Sequence, residues 1–246
     1  MIFLCFSSKD RLCIVEALLY HITNFGIPVW YDRKKMLLGD DRNYMNFVDG
    51  VASSDYALVV LSPNAISSPC VQEEMDLIKH KYMSHSMHVF PVFYNIRASE
   101  LPDEYTWLLS LVYKEIEPSI DARGTCNHII CKYLSDKAAE GKIRSLSESE
   151  DNVRILSSHP FISRLSMDYN RIDNSNLDAK MALLYAGCQY AILHMERDKI
   201  PPYALIGVDR LFSETKLHLP HDQREGLISE KLYIILVDRL VSCDIV

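Results

Sequence analysis

The chain has 246 residues, of which 48% are hydrophobic, 24% charged and 10% aromatic. This balance is typical of a folded globular protein and excludes a disordered or collagen-like chain. The length exceeds the ~100 to 200 residues of one ordinary domain, which predicts one large or two small domains. The net charge of −7 leaves no excess of Lys and Arg for phosphates, so we expect neither a nucleic acid nor an anionic membrane as partner.

The eight glycines are scattered along the chain, and none lies within ten positions of another. The phosphate-binding patterns GxGxxG and GxxxxGK[ST] are therefore excluded. A nucleotide, if bound, must be held in another way.

The seven cysteines contain no CxxC pair and lie mostly in apolar runs, which is typical of a reducing compartment. Cys126, His128 and Cys131 have no fourth ligand nearby, so we interpret the cysteines as buried small residues and expect no metal site. The N-terminal residues lack the basic and apolar regions of a signal peptide, and no apolar run is long enough to span a bilayer. We therefore expect a cytoplasmic protein that is not inserted in a membrane.

Apolar runs in the first half alternate with helical patterns. Short runs predict strands at residues 2–6, 27–31, 56–61, 89–94 and 108–113. Helices are predicted at residues 12–25, 44–51 and 127–139, and from Pro69 onwards with Ser68 as N-cap. This alternation predicts a doubly wound α/β layer with a parallel sheet, in which ligands bind at the carboxyl ends of the strands.

Two residues in this half carry local predictions. Gly26 follows the last apolar position of the first helix and is expected to end it. Pro91 has no backbone N–H, so the fourth strand is expected to be irregular or interrupted there.

The second half has a different character. Residues 141–152 are polar, serine-rich and acidic, and we interpret them as a linker. Apolar residues then recur at helical spacing over 177–195, and residues 229–241 indicate another helix. A mainly helical C-terminal domain over 153–246 is therefore predicted.

Five segments of the first half match one family in order. They are IFLCFSSKD at 2–10, GIPVWYD at 26–32, RKKMLLGD at 33–40, ALVVLSPNAISSPCVQEEM at 57–75 and VFPVFYNI at 89–96. Together they resemble the TIR (Toll/interleukin-1 receptor) domain of the bacterial and plant type, over residues 1–140. The resemblance implies a flavodoxin-like, doubly wound parallel sheet of five strands.

The resemblance also implies a catalytic glutamate on the third helix, four residues after a position that is usually tryptophan. Counting from Pro69 gives Glu73, and Glu74 is the adjacent competitor. If Val71 faces the sheet, Glu73 lies about 200° and Glu74 about 300° around the helix from it, so Glu73 is predicted to face a cleft. The alternative is a solvated glutamate that only favours the helix dipole.

Further substrate contacts are implied by the resemblance, each with a simpler alternative. The implied substrate-binding residues are Phe6, Ser7, Trp30, Asp32, Lys34 and Ser67. Phe6 and Trp30 are equally well interpreted as core aromatics, Lys34 as part of a solvated loop, and Ser67 as a helix-cap residue. Two residues depart from the family pattern: Pro69 replaces the usual aromatic, and Cys5 occupies a position where serine is common.

The resemblance implies an enzyme that cleaves the nicotinamide–ribose bond of NAD, with NAD as substrate and no cofactor. The product would be an ADP-ribose-derived signal, either a cyclic ADP-ribose isomer or an ADP-ribosyl conjugate. It would activate a separate effector protein, as in Thoeris-type antiphage defence. The 33–40 loop would either cover the site or contact a neighbouring protomer, and self-association through the TIR domain is expected.

Two alternatives remain open. Pro69 favours a non-catalytic adaptor that acts by TIR–TIR assembly, and a doubly wound layer with a glutamate also suits a nucleoside deoxyribosyltransferase-like enzyme.

Overall fold

The computed structural model describes residues 1–32, 36–41, 44–117, 122–143, 156–215 and 222–243. Its sheet has five strands: β1 (Ile2–Cys5), β2 (Val29–Trp30), β3 (Tyr56–Leu61), β4 (His88–Tyr94) and β5 (Lys114–Ile116). The strand order is β2-β1-β3-β4-β5, and each neighbouring pair is parallel. The predicted doubly wound, five-stranded α/β fold is confirmed.

The helices divide between the two halves of the chain. Those within residues 1–140 are α1 (Glu16–Asn24), α2 (Pro63–Ile66), α3 (Pro69–Met83) and α4 (Ala122–Ala139). Those of the second half are α5 (Pro160–Arg171), α6 (Leu177–Leu193), α7 (Pro202–Thr215) and α8 (Gln223–Cys243). The predicted helical C-terminal region is therefore present.

Two further segments are π-helical, a geometry that is rare and is often found at functional sites. The first is Arg11–Val15, directly before α1, and the second is Met45–Ala52, between β2 and β3. The predicted helix at 44–51 thus forms, with wider turns than an α-helix.

The core explains why the apolar runs become strands. All four residues of β1 and all six of β3 are buried, as expected for central strands covered on both faces. Gly26 ends the first helix in a left-handed conformation, with φ of 68°, and Ser68 and Pro69 begin α3 as predicted.

The strand predicted at 108–113 is wrong. Residues Asp103–Ser110 form a 3₁₀-helix, and β5 begins only at Lys114. Leu108 is fully buried whereas Val112 is 91% exposed, so the apolar run covers the core with one side only. A short apolar run cannot distinguish a strand from a helical turn by itself, which explains the error.

The expected interruption at Pro91 is also wrong. Strand β4 runs without a break from His88 to Tyr94, and Pro91 lies in register with Val59 of β3. On the other side, β5 pairs only with Val92–Tyr94. Pro91 therefore has a neighbouring strand on one side only, where a missing N–H is tolerated.

The chain divides into two compact units. The first comprises residues 1–23 and 27–126, and the second comprises 24–26 and 127–246. The boundaries expected from the sequence, 1–140 and 153–246, stay predictions, and most of the expected 141–152 linker lies outside the described residues. None of the described helices has the length and apolar character needed to cross a membrane.

Lys81 of α3 fixes the end of the second π-helical segment. Its ammonium donates to the carbonyl oxygens of Val51, Ala52 and Ser54 at 3.0, 2.8 and 2.8 Å. A positive charge is favourable at the C-terminal end of a helix, where carbonyls lack intrahelical donors. Burial lowers the pKa of Lys81, and the three hydrogen bonds offset the desolvation of its ammonium group.

We expect Lys81→Met to lower the free energy of unfolding by about 1 to 3 kcal/mol, because it removes a charged donor shared by three carbonyls. Lys79→Met, on the same helix, is the matched control and is expected to change stability by less than about 0.5 kcal/mol. Urea denaturation measures both. Equal effects of the two substitutions would contradict a stabilising role for the hydrogen bonds of Lys81.

A pair of glycine substitutions tests the packing of helices α6 and α8 in the second unit. A Cβ on Gly187 would overlap the ring of Tyr233, whereas a Cβ on Gly124 of α4 would meet no atom within 4 Å. We expect Gly187→Ala to destabilise by about 1 to 3 kcal/mol and Gly124→Ala to stabilise by about 0.5 kcal/mol. Thermal unfolding followed by circular dichroism distinguishes these opposite signs.

Candidate active site at the carboxyl edge of the sheet

The strand order places a crevice at the carboxyl edge of the sheet. From β1 the chain goes to β2 on one side, and β3 lies on the other side of β1. Ligands of doubly wound sheets bind where the strand order reverses in this way. The side chains that follow β1 and β3 are therefore the first candidates for a site.

A buried carboxylate lies next to this crevice. Helix α3 buries Val71, Glu74, Met75 and Ile78, and Glu74 is only 8% exposed. A buried charge must be hydrogen-bonded to be tolerated. The side-chain amide of Asn46, itself 5% exposed, donates to Glu74 Oε1 at 2.9 Å.

The last residue of β1 completes this cluster. Cys5 is fully buried and its thiol hydrogen-bonds to Glu74. Burial, followed by the nearby carboxylate, raises the pKa of the Cys5 thiol well above its ordinary value. Cys5 is therefore a neutral donor at neutral pH, and Glu74, Asn46 and Cys5 form what we call the carboxylate cluster.

A second polar cluster surrounds Arg11. Its guanidinium donates to Tyr31 Oη at 2.7 Å and to Asp32 Oδ2 at 2.9 Å, and its Cζ lies 5.1 Å from the centre of the Phe6 ring. Tyr31 in turn donates to Glu16 Oε1. Burial and the bond to Glu16 raise the pKa of Tyr31 to about 12, so the phenol remains protonated in this network.

A second buried carboxylate, Asp10, has a structural role. It accepts hydrogen bonds from Ser62 Oγ and from Asn64 Nδ2, the latter at 2.7 Å. Ser62 also caps α2 by accepting from the amide of Ala65. Asp10 thus ties the segment after β1 to the beginning of α2.

The structure separates the site residues predicted from the sequence. Phe6 and Asp32 meet in the Arg11 cluster. Trp30 is 3% exposed and stacks on Phe3 with ring centres 5.2 Å apart, in the apolar core beneath α3. Trp30 is therefore a core aromatic, whereas Phe6 is partly exposed at the carboxyl edge of the sheet.

The serines and Glu73 lie elsewhere. Ser7 caps the turn after β1 by accepting from the amide of Lys9. Ser67 is exposed and donates to the carbonyl of Pro63 at 2.9 Å. Glu73 is exposed on the outer side of α3, and Lys34 lies outside the described residues.

Sequence reasoning did not select Glu74, Asn46 or Arg11. A signal for Glu74 was present, because Val71, Glu74, Met75 and Ile78 have the spacing of the buried face of a helix. Counting four residues from Cys70 instead of Pro69 also leads to Glu74. For Asn46 and Arg11 no local pattern exists, since their partners lie 28 and 21 residues away.

A metal site requires several His, Cys, Asp or Glu side chains close together. Within the described ranges, no group of three or more His, Cys, Asp or Glu side chains is arranged to hold a metal ion. Cys126, considered above as a ligand, is buried and directs its thiol at the carbonyl of Leu18.

Comparison with known proteins identifies the first unit. The family model described as TIR domain matches residues 2–125, which is half of the chain. The chain therefore belongs to the TIR domain family.

Three curated relatives share this region. NAD(+) hydrolase TcpA of Theionarchaea archaeon is 28% identical over 120 residues, which are 49% of this chain and 36% of the relative. NAD(+) hydrolase TcpC of Escherichia coli O6:H1 is 27% identical over 100 residues, 40% of this chain and 32% of the relative. The 2' cyclic ADP-D-ribose synthase BtTIR of Bacteroides thetaiotaomicron is 25% identical over 100 residues, 40% and 34% of the two chains. The chain thus spans about a third of the length of these relatives.

The burial of Cys5 is testable by thiol labelling. All seven cysteines are free thiols; Cys13 and Cys243 are exposed, whereas Cys5, Cys126 and Cys188 are buried. We expect Ellman's reagent to modify Cys13 and Cys243 first, and the three buried thiols only on unfolding, because the reaction needs an accessible thiolate. Peptide mass mapping identifies the modified residues, and rapid labelling of Cys5 in the folded protein would contradict its place in the carboxylate cluster.

Proposed function

We propose that this TIR-domain chain cleaves the bond between nicotinamide and ribose in NAD, with the Glu74 carboxylate facing the positive charge that develops on the ribose. The observation that carries the proposal is a buried carboxylate, held by Asn46 and Cys5 beside the sheet's switch point. The relatives named NAD(+) hydrolases and 2' cyclic ADP-D-ribose synthase support NAD as the substrate.

Cleavage of the nicotinamide–ribose bond can be assisted by a single carboxylate. Cleavage of an N-glycosidic bond passes through an oxocarbenium-like transition state, which a fixed anion stabilises. Nicotinamide leaves as a neutral molecule, so the step needs no strong general acid. A carboxylate shielded from water acts more strongly on this charge than a hydrated one.

This argument favours Glu74 over Glu73. Glu73 is exposed, so water screens its charge, and it has no hydrogen bond to another side chain in the described part of the chain. Glu74 has its orientation fixed by two donors from other elements. The assignment of catalysis to Glu73 nevertheless stays a prediction, which the paired variants below decide.

The fate of the ADP-ribosyl group is a finer proposal. We infer that the product is a signal, either a cyclic ADP-ribose isomer or an ADP-ribosyl conjugate, that activates a separate effector in antiviral defence. The relative BtTIR is named a 2' cyclic ADP-D-ribose synthase, which supports the cyclic product. Seven free thiols support action in the reducing cytoplasm.

Self-association through the TIR unit is proposed on the loop between β2 and the second π-helical segment. Leu37 and Leu38 in this loop are 78% and 107% exposed. Two adjacent exposed leucines offer apolar area that a partner surface can bury. This feature also favours the adaptor alternative, so assembly and NAD turnover must be measured together.

The two glutamates provide a matched test of catalysis. We expect Glu74→Gln to lower NAD turnover by about 100-fold or more, and Glu73→Gln to stay within about threefold of the parent protein. Both changes remove one charge and keep the side-chain shape. Liquid chromatography with mass spectrometry, at several protein concentrations, measures NAD loss and identifies the product.

Each other outcome has a distinct meaning. Loss of turnover only in Glu73→Gln would assign catalysis to Glu73 instead. Full turnover in both variants would overturn a glutamate-based reaction. Absence of turnover in the parent protein at concentrations where it self-associates would favour the adaptor.

A further inference from the structure

The hydrogen bond between Asn46 and Glu74 joins two elements that are far apart in the chain. The amide and the carboxylate are separated by 28 residues, and both side chains are more than nine-tenths buried. Asn46 lies in the π-helical segment Met45–Ala52, and Glu74 lies on α3. The contact is therefore a tertiary one that orients the two elements.

Helix α3 holds the π-helical segment at both of its ends. At the beginning, Glu74 accepts from Asn46; at the end, Lys81 donates to the carbonyls of Val51 and Ala52. Glu74 and Lys81 are seven residues apart on α3, which places them two turns apart on the same face. The position of Asn46 is thus set by the helix that carries the carboxylate.

Packing alone does not account for an amide at this position. Asn46 Oδ1 is buried and has no hydrogen-bond partner among the described residues. A buried acceptor without a donor costs about 1 to 3 kcal/mol, whereas a leucine of similar size would avoid that cost. The reverse orientation of the amide would place its oxygen against Glu74 Oε1, so the N–H must face the carboxylate.

We propose that Asn46 is a positioning residue, whose amide N–H fixes the rotation of the Glu74 carboxylate toward the ribose of the substrate. This inference rests on the proposed function of Glu74. Cys5 provides the second donor from β1, so the carboxylate is held from the sheet and from the π-helical segment. A carboxylate that rotates freely would lose the alignment on which transition-state stabilisation depends.

Two substitutions of Asn46 separate positioning from packing. Asn46→Leu keeps the branched shape and removes the donor; we expect kcat to fall about 10- to 100-fold with KM nearly unchanged, and thermal stability to fall because the buried Glu74 loses one of its donors. Asn46→Asp places a second carboxyl group against Glu74. Because two adjacent carboxylates cannot both ionise readily, we expect the acid limb of the kcat–pH profile to move up by at least about one pH unit.

The neighbouring titratable groups do not obscure this shift. Burial raises the pKa of the Cys5 thiol well above its ordinary value, and burial with Glu104 raises the pKa of Tyr105, which interacts with Cys5, to about 12. Both groups are neutral over the range in which carboxyl groups titrate. The carboxyl groups of Glu104 and Asp76, which act on Tyr105, are the same in the parent protein and in the variant. A displacement of the acid limb in Asn46→Asp relative to the parent protein therefore reports on the new pair.

Asn64→Asp is the matched control. Asn64 donates to the buried Asp10 at 2.7 Å, so this change also creates a carboxyl pair, outside the carboxylate cluster. We expect it to lower stability while the acid limb of the kcat–pH profile stays in place.

The outcomes separate this inference from the proposed function. If the parent protein does not turn over NAD, or if Glu74→Gln keeps the full rate, the proposed function of Glu74 fails and this inference falls with it. If Glu74→Gln is inactive but Asn46→Leu and Asn46→Asp keep the parent kcat and pH profile, only the positioning role is overturned. A shift of the profile in Asn64→Asp equal to that in Asn46→Asp would also overturn it.

Discussion

The burial of one carboxylate constrains the architecture around the crevice. Transferring an ionised carboxylate out of water is unfavourable by several kcal/mol unless hydrogen bonds replace the lost hydration. Glu74 has donors from β1 and from the π-helical segment, while α3 itself provides the apolar neighbours Val71 and Met75. Three elements must therefore be in place before the charge is tolerated, which makes the crevice a product of tertiary structure.

The alternation of side chains along β1 divides the residues at the carboxyl edge of the sheet into two groups. Phe3 and Cys5 lie in the apolar core beneath α3, together with Trp30 of the neighbouring strand. Phe6, one residue later, instead contacts Tyr31 and lies under Arg11. Because successive strand residues face opposite sides of a sheet, Cys5 and Phe6 belong to different clusters although they are adjacent in the sequence.

The sequence predicts the sheet well where one physical signal dominates. The uninterrupted apolar runs at β1 and β3 predict buried strands, which the structure contains, and Ser68–Pro69 marks the beginning of α3. The errors occur where tertiary context decides. Pro91 is tolerated because β5 begins one residue further along, and Leu108 belongs to a 3₁₀-helix because only one side of its segment meets the core.

The site is less predictable than the fold for a related reason. A helical wheel places Glu74 near the core edge, and a charged residue there is ordinarily interpreted as misplaced, which favoured the solvent-facing Glu73. The interpretation changes only when Asn46 and Cys5 are known to lie opposite, and neither contact has a local signature. A buried polar residue implies hydrogen-bond partners, but the sequence alone does not identify those partners.

The scarcity of glycine acquires a physical meaning from this arrangement. Glycine-rich loops are needed when backbone amides must approach a phosphate closely, and this chain has none of the spacings that build such a loop. The proposed reaction instead requires a negative charge beside the ribose. A carboxylate on a helix provides that charge without special backbone conformations. A fold that buries a glutamate between a strand, a helix and a π-helical segment therefore suits nucleotide chemistry directed at the glycosidic bond, for which a phosphate-binding loop is not required.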